Sequence, residues 1–174
     1  MYIDKIYRGK GLGKTLIALM LAVDRIQKFP GKKVLFLAPT RPLVEQHLNS
    51  FKKNLPELFA EIEIFTGEVS AQKRKKIFET AEIIFSTPQC IANDVISGLY
   101  KLNDVSLLVI DEAHRCLKNY DYTKVVDYYK RQTENERILG LTASPGSDLE
   151  RVKEICKHLN IKEIEVRNRD SEDV

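Results

Sequence analysis

The sequence contains no tryptophan and only three cysteines in 174 residues. Cys90, Cys116 and Cys156 are odd in number, far apart and without a C-x-x-C pair. That argues against a disulfide framework or a thiolate metal site. Each cysteine is instead expected to pack as a small buried hydrophobe in a reducing compartment. No apolar run approaches the roughly 18 residues that span a bilayer, and the first seven residues lack the apolar region of a signal peptide. The expectation is a cytoplasmic chain with no membrane partner. Net charge is also scarce: +3 does not by itself announce nucleic acid. There is no internal repeat, low-complexity tract or linker, and the length fits one domain with its own core.

What is present is alternation. Val34 to Ala38, Ile83 to Phe85, Leu107 to Ile110 and Ile138 to Leu141 are continuous apolar runs, as expected of parallel strands buried on both faces. Ile62 and Ile64 alternate with acids, which suits a strand nearer an edge, and Ile164 and Val166 could form a last strand. Helix-period segments fall between them. Leu16, Leu19, Met20, Val23 and Ile26 precede the Pro30–Gly31 stop, and Leu43, His47, Leu48 and Phe51 precede Pro56. Val125, Tyr128 and Tyr129 mark another helix. Leu149, Val152, Ile155, Cys156 and Leu159 mark the last, with Asp148 as its expected N-cap. The pattern predicts an α/β domain with a mostly parallel sheet and helices on both faces. Ligands of such sheets bind at the carboxyl ends of the strands.

Gly11-Leu12-Gly13-Lys14-Thr15 opens the first helix. Glycines admit phosphate oxygens close to the backbone, and the helix N-terminus presents partial positive charge to them. Lys14 can reach β- and γ-phosphates and the Thr15 hydroxyl can ligate Mg²⁺. A glycine turn followed by a helix cap would produce the same five residues. The full G-x-x-x-x-G-K-[ST] pattern places its first glycine where this chain has Arg8, and the feeding strand falls between Tyr2 and Tyr7, interrupted by Asp4 and Lys5.

Asp111-Glu112-Ala113-His114 directly follows the run Leu107 to Ile110. Acids at the end of a buried strand lie at the ligand edge of the sheet. Asp111 can hold Mg²⁺, mostly through water. Glu112 can then orient or deprotonate an attacking water. A solvated loop with a capping aspartate is the bland alternative. A phosphate loop and an acidic strand end in one domain are far more specific together than either alone.

In this order and spacing the motifs resemble those of superfamily 2 helicases. Gly11 to Thr15 is similar to motif I, Ala38-Pro39-Thr40-Arg41-Pro42-Leu43-Val44-Glu45-Gln46-His47 to motif Ia, Thr66-Gly67-Glu68 and Ser86-Thr87-Pro88-Gln89 to the next two motifs, Asp111 to His114 to the DEAH form of motif II, and Leu141-Thr142-Ala143-Ser144-Pro145-Gly146 to motif III. The Thr-Gly-Glu triplet, the stretch from Asn119 to Gln132 and Thr142-Ala143-Ser144-Pro145-Gly146 resemble most the branch of the archaeal Hef helicase–nuclease and the Fanconi anaemia group M helicases. Those enzymes serve DNA repair on forked and branched DNA; RNA helicases of the RIG-I and Dicer types are close relatives.

The resemblance implies a RecA-like P-loop domain with ATP and Mg²⁺ as cofactors. It implies Lys14, Asp111, Glu112 and His114 in catalysis, Gly11, Leu12, Gly13, Lys14 and Thr15 around the nucleotide, and Thr15 and Asp111 at the metal. Pro39, Thr40, Arg41, Thr66, Gly67, Thr87 and Pro88 would touch the nucleic-acid backbone, DNA before RNA, and Thr142, Ala143 and Ser144 would couple the two sites. It further implies an adenine-reading segment, a second RecA-like lobe and a nuclease domain, none of which matches the residues given, so residues 1–174 are expected to be a single, N-terminally truncated motor lobe with little activity alone. A non-catalytic ATP- or nucleic-acid-binding fragment is the alternative. A GTPase or small kinase is disfavoured because no N-K-x-D motif occurs. Lys73-Arg74-Lys75-Lys76 is the strongest basic run, a solvated helix face or a phosphate contact.

Overall fold

The four apolar runs form the centre of one parallel sheet. The structure, a computed structural model, describes residues 5–8, 12–117, 120–142, 149–159 and 163–166, with the side chains of 5–8, 12, 149, 151, 152 and 163–166 left aside. Its strands are β1 (Lys5–Arg8), β2 (Lys33–Leu37), β3 (Ile62–Phe65), β4 (Ile83–Ser86), β5 (Val105–Ile110), β6 (Ile138–Thr142) and β7 (Glu163–Val166). They lie in the order β3-β4-β2-β5-β6-β1-β7, every neighbouring pair parallel. The alternating run at Ile62 and Ile64 is the edge strand its pattern predicts, half-buried along three of its four residues. β1 confirms a strand ahead of the phosphate loop, and Arg8 is its last residue, in register with Thr142 and Val166.

The helices are α1 (Leu12–Lys28), α2 (Arg41–Asn54), α3 (Ala71–Thr80), α4 (Pro88–Ile96), α5 (Tyr120–Gln132) and α6 (Leu149–Leu159), with a short 3-10 helix at Ala113–Leu117. Because strand side chains alternate between faces, the sheet builds two cores. Val34, Phe36, Phe85, Leu107, Val109 and Leu139 pack with Ala18, Ala22, Val44 and Phe51 of α1 and α2. Leu35, Leu37, Ile84, Leu108, Ile110 and Ile138 face the other side, with Phe78, Ile91, Val125, Tyr129 and Ile155 of α3 to α6. Each fully buried Leu, Ile or Phe contributes on the order of 1.5–3 kcal/mol. Continuous apolar strands are thus the signature of a sheet covered on both faces.

Cys116 and Cys156 are buried as expected, while Cys90 is only half-buried. Burial pushes the Cys116 thiol up to about 12. Among the described residues no helix is long and apolar enough to cross a membrane, and no group of three or more His, Cys, Asp or Glu could hold a metal. Asp148 lies outside the described residues.

Candidate functional site

A parallel sheet puts the ends of all its strands on one edge, so every motif singled out in the sequence emerges on the same side of the molecule. Sheet order then sorts them. Thr66 and Gly67 follow β3, Thr87 and Pro88 follow β4, and Pro39, Thr40 and Arg41 follow β2; these three strands are neighbours. Asp111 and Glu112 follow β5, Thr142 ends β6, and the segment entering α1 follows β1, in the other half.

In that second half, α1 carries Gly13, Lys14 and Thr15 in its first turn. Among the described residues a Cβ built on Gly13 meets nothing within 4 Å, and its φ is not in the left-handed region. Neither packing nor backbone strain therefore demands glycine at this position. The open space in front of it is what a phosphate group would need. Gly11 lies outside the described residues, as do Ala143 and Ser144; Leu12 is placed only by its backbone, at the start of α1.

Asp111 is held from three directions. Its amide donates to the Leu37 carbonyl at 2.8 Å, and its carbonyl accepts from the Tyr122 hydroxyl at 3.1 Å. Its carboxylate Oδ2 lies 2.8 Å from His47 Nε2. The other nitrogen of that ring, Nδ1, lies 3.2 Å from the Thr15 hydroxyl. A short chain, Thr15–His47–Asp111, therefore joins the phosphate-loop helix to the acidic strand end. His47 is 8% exposed and its ring packs on Phe36 with centroids 4.6 Å apart. In the sequence His47 is one helix-spaced position and the last residue of the stretch resembling motif Ia, with no role of its own. Its hint was a lone histidine among Leu43, Val44, Leu48 and Phe51.

The next residue, Glu112, has φ 53°, in the left-handed region that non-glycine residues enter with strain. The strand must turn sharply into the 3-10 helix, and this backbone swings Glu112 toward His114, whose Nδ1 lies 3.2 Å from Glu112 Oε2. The same nitrogen is 2.9 Å from Thr142 Oγ1. His114 thus ties the acidic box to the last residue of β6.

In the first half, Thr40 and Thr87 are the N-caps of α2 and α4, each with extended backbone, a proline in the first turn and no side-chain cap hydrogen bond. β2 and β4 pair directly, so the two helices start from neighbouring strand ends, α2 on one face of the sheet and α4 on the other, and each N-terminus is suited to a phosphate. Gly67, like Gly13, faces open space. The Arg41 guanidinium is exposed but engaged by Glu45 Oε1 at 2.8 Å and by Glu68 Oε1 at 2.5 Å, which joins the Thr66-Gly67-Glu68 loop to α2.

The basic run divides. Lys73, Lys75 and Lys76 are exposed on α3. Arg74 turns inward and grips Asp94 of α4 with Nε–Oδ2 2.7 Å and Nη2–Oδ1 2.6 Å, while its Nη1 donates to the Val69 carbonyl. Tyr100 adds a hydroxyl donor to Asp94 Oδ2 at 2.8 Å. Arg74 is thus structural, and nothing in the sequence separates it from the lysines beside it.

Comparison with known proteins agrees with this geometry. The DEAD/DEAH box helicase model matches residues 6–152. A protein of Methanocaldococcus jannaschii named as an ATP-dependent RNA helicase is 44% identical over 94% of this chain and 21% of its own length. The ATP-dependent DNA helicase MPH1 of Candida albicans is 40% identical over 94% of this chain and 14% of its own. The crystal structure of the Pyrococcus furiosus Hef helicase domain superposes with a TM-score of 0.88 at 47% identity, covering 97% of this chain and 36% of that one. The chain spans about a fifth or less of these two curated relatives. With a family model spanning most of its length and a Hef-like fold carrying the motifs in order, the chain belongs to the DEAD/DEAH box helicases.

Proposed function

We propose that this chain is the ATP- and Mg²⁺-binding motor lobe of a helicase or translocase that moves on forked or branched DNA. The observation that carries the reading is the Thr15–His47–Asp111 chain, which links a phosphate-loop hydroxyl to a strand-end carboxylate across one imidazole ring at the ligand edge. Gly11, Leu12, Gly13 and Lys14 would cradle and neutralise the phosphates, with Thr15 and Asp111 holding the metal. Bound Mg·ATP supplies the phosphoryl group, with charge spread over its outer oxygens. Glu112, held in a left-handed backbone conformation at the strand end, would orient and deprotonate the attacking water. His114 and Thr142, bonded to each other, would carry the state of Glu112 into β6 and onward through Ala143 and Ser144.

Thr40, Thr66, Thr87 and the turns at Pro39, Gly67 and Pro88 would hold successive phosphates without reading bases, with Arg41 steadied by Glu68. DNA is the preferred track because the MPH1 relative is named for DNA. The RNA-helicase name of the archaeal relative supports a second reading, an RNA track.

A second lobe would complete the site. An arginine finger contributes about 10³–10⁵ in rate, so this lobe alone should bind ATP weakly and turn it over very slowly. The test is ATP binding and steady-state hydrolysis by this chain, with and without forked DNA or RNA of the same sequence. Lys14→Ala should lower nucleotide affinity, and Glu112→Gln should abolish the residual turnover. Turnover indifferent to both substitutions would reject the site. Robust DNA-stimulated turnover that both abolish would show that one lobe suffices.

A further inference from the structure

The helix that starts at the nucleic-acid edge also reaches into the nucleotide half. α2 begins beside Thr40, and two turns later His47 stands between Thr15 and Asp111. We propose that His47 is a positioning residue for the metal–nucleotide site, setting the orientation of the Thr15 hydroxyl and the Asp111 carboxylate before the cation arrives. This rests on the reading of Thr15 and Asp111 as metal-holding residues.

The chemistry is directional. Asp111 Oδ2, as a carboxylate oxygen, accepts, so Nε2 carries the hydrogen and donates to it. In the neutral ring Nδ1 is then an acceptor, and Thr15 Oγ1 donates its proton to it. A threonine hydroxyl whose hydrogen is taken up in this way presents its lone pairs outward, as a cation requires. Asp111, fixed through Oδ2, likewise leaves Oδ1 to accept from a metal-bound water. The ring cannot swing away, because it is buried, packed against Phe36 and carried on a helix anchored by Val44 and Phe51. Groups that orient metal-holding side chains in this manner commonly change metal affinity by about 10–100-fold when removed. His47 also gives the sheet edge a physical connection between its halves.

The experiment titrates this chain with a fluorescent ATP analogue in Mg²⁺ and in EDTA, and reads the ratio of the two dissociation constants. Manganese binding in the presence of ATP, followed by electron paramagnetic resonance, gives a second readout independent of hydrolysis. His47→Phe keeps a ring against Phe36 and removes both nitrogens. His47→Gln places an amide donor where Nε2 stood and so keeps the Asp111 bond alone. The expected result is a gain from Mg²⁺ that falls about tenfold or more in His47→Phe and by a smaller factor in His47→Gln, with parallel weakening of manganese binding. Circular dichroism reports whether each variant folds; if His47→Phe does not, the graded loss in His47→Gln decides. A Mg²⁺ gain as large in the folded variants as in the unsubstituted chain overturns the role of His47 alone. No gain in the unsubstituted chain overturns the metal site itself, and this inference with it.

Discussion

Replacing Arg74 by methionine would strand a carboxylate in the core. Asp94 is 3% exposed, and its oxygens receive two guanidinium bonds of 2.7 and 2.6 Å and one hydroxyl bond of 2.8 Å. The Arg74 side chain is itself only 11% exposed, so solvent screens the pair little. Arg74 is raised above its usual value chiefly by the Asp94 bond. Burial raises the Tyr100 hydroxyl, which therefore stays protonated and donating. Arg74→Met leaves Asp94 with Tyr100 alone. Removing one member of a buried pair costs about 3–5 kcal/mol, or roughly 10 °C in midpoint for a domain of this size. Urea and thermal denaturation followed by circular dichroism measure it. Arg74→Met with Asp94→Leu removes the stranded charge and should recover most of the loss. A single substitution within about 1 kcal/mol of the parent, or a double as damaging as the single, would refute the assignment of Arg74 as structural. Because Arg74 also holds the Val69 carbonyl, Arg74→Met should weaken nucleic-acid binding by releasing the loop of Thr66, Gly67 and Glu68.

Three further outcomes are expected. Single-stranded DNA should bind weakly and without base preference, with log affinity falling against log salt at a slope near −2 if about three phosphates are held. Thr40→Val and Thr87→Val should each lower affinity about equally for every sequence, and fluorescence anisotropy across two salt concentrations checks both. Cys116, with its thiol pushed up to about 12, should resist iodoacetamide in the native chain at pH 8, since only about 10⁻⁴ of it is thiolate there. Mass spectrometry should find it labelled only after denaturation; rapid native labelling would mean that its pocket opens. Tyr122→Phe removes the buried donor to the Asp111 carbonyl and should cost on the order of 1–2 kcal/mol, read as a shifted urea midpoint.

Strand and helix identities were legible because burial on two faces requires continuous apolar runs, and amphipathic helices require a 3.6-residue period. Motif chemistry was legible because phosphate loops and strand-end acids constrain neighbouring residues. The sequence alone thus determined a parallel α/β domain, the edge character of Ile62 and Ile64, and the pairing of Gly13, Lys14 and Thr15 with Asp111 and Glu112 as one candidate site. Only the tertiary structure decided contacts between residues far apart in the chain. It turned Arg74 inward to Asp94 and left its lysine neighbours in solvent, because helix phase and the packing of α3 on α4 select one side chain of four. It made His47 a bridge rather than a core-facing polar residue, since Thr15 lies 32 residues before it and Asp111 64 residues after. No local pattern records such distances; they follow from β2 lying beside β5 in the sheet.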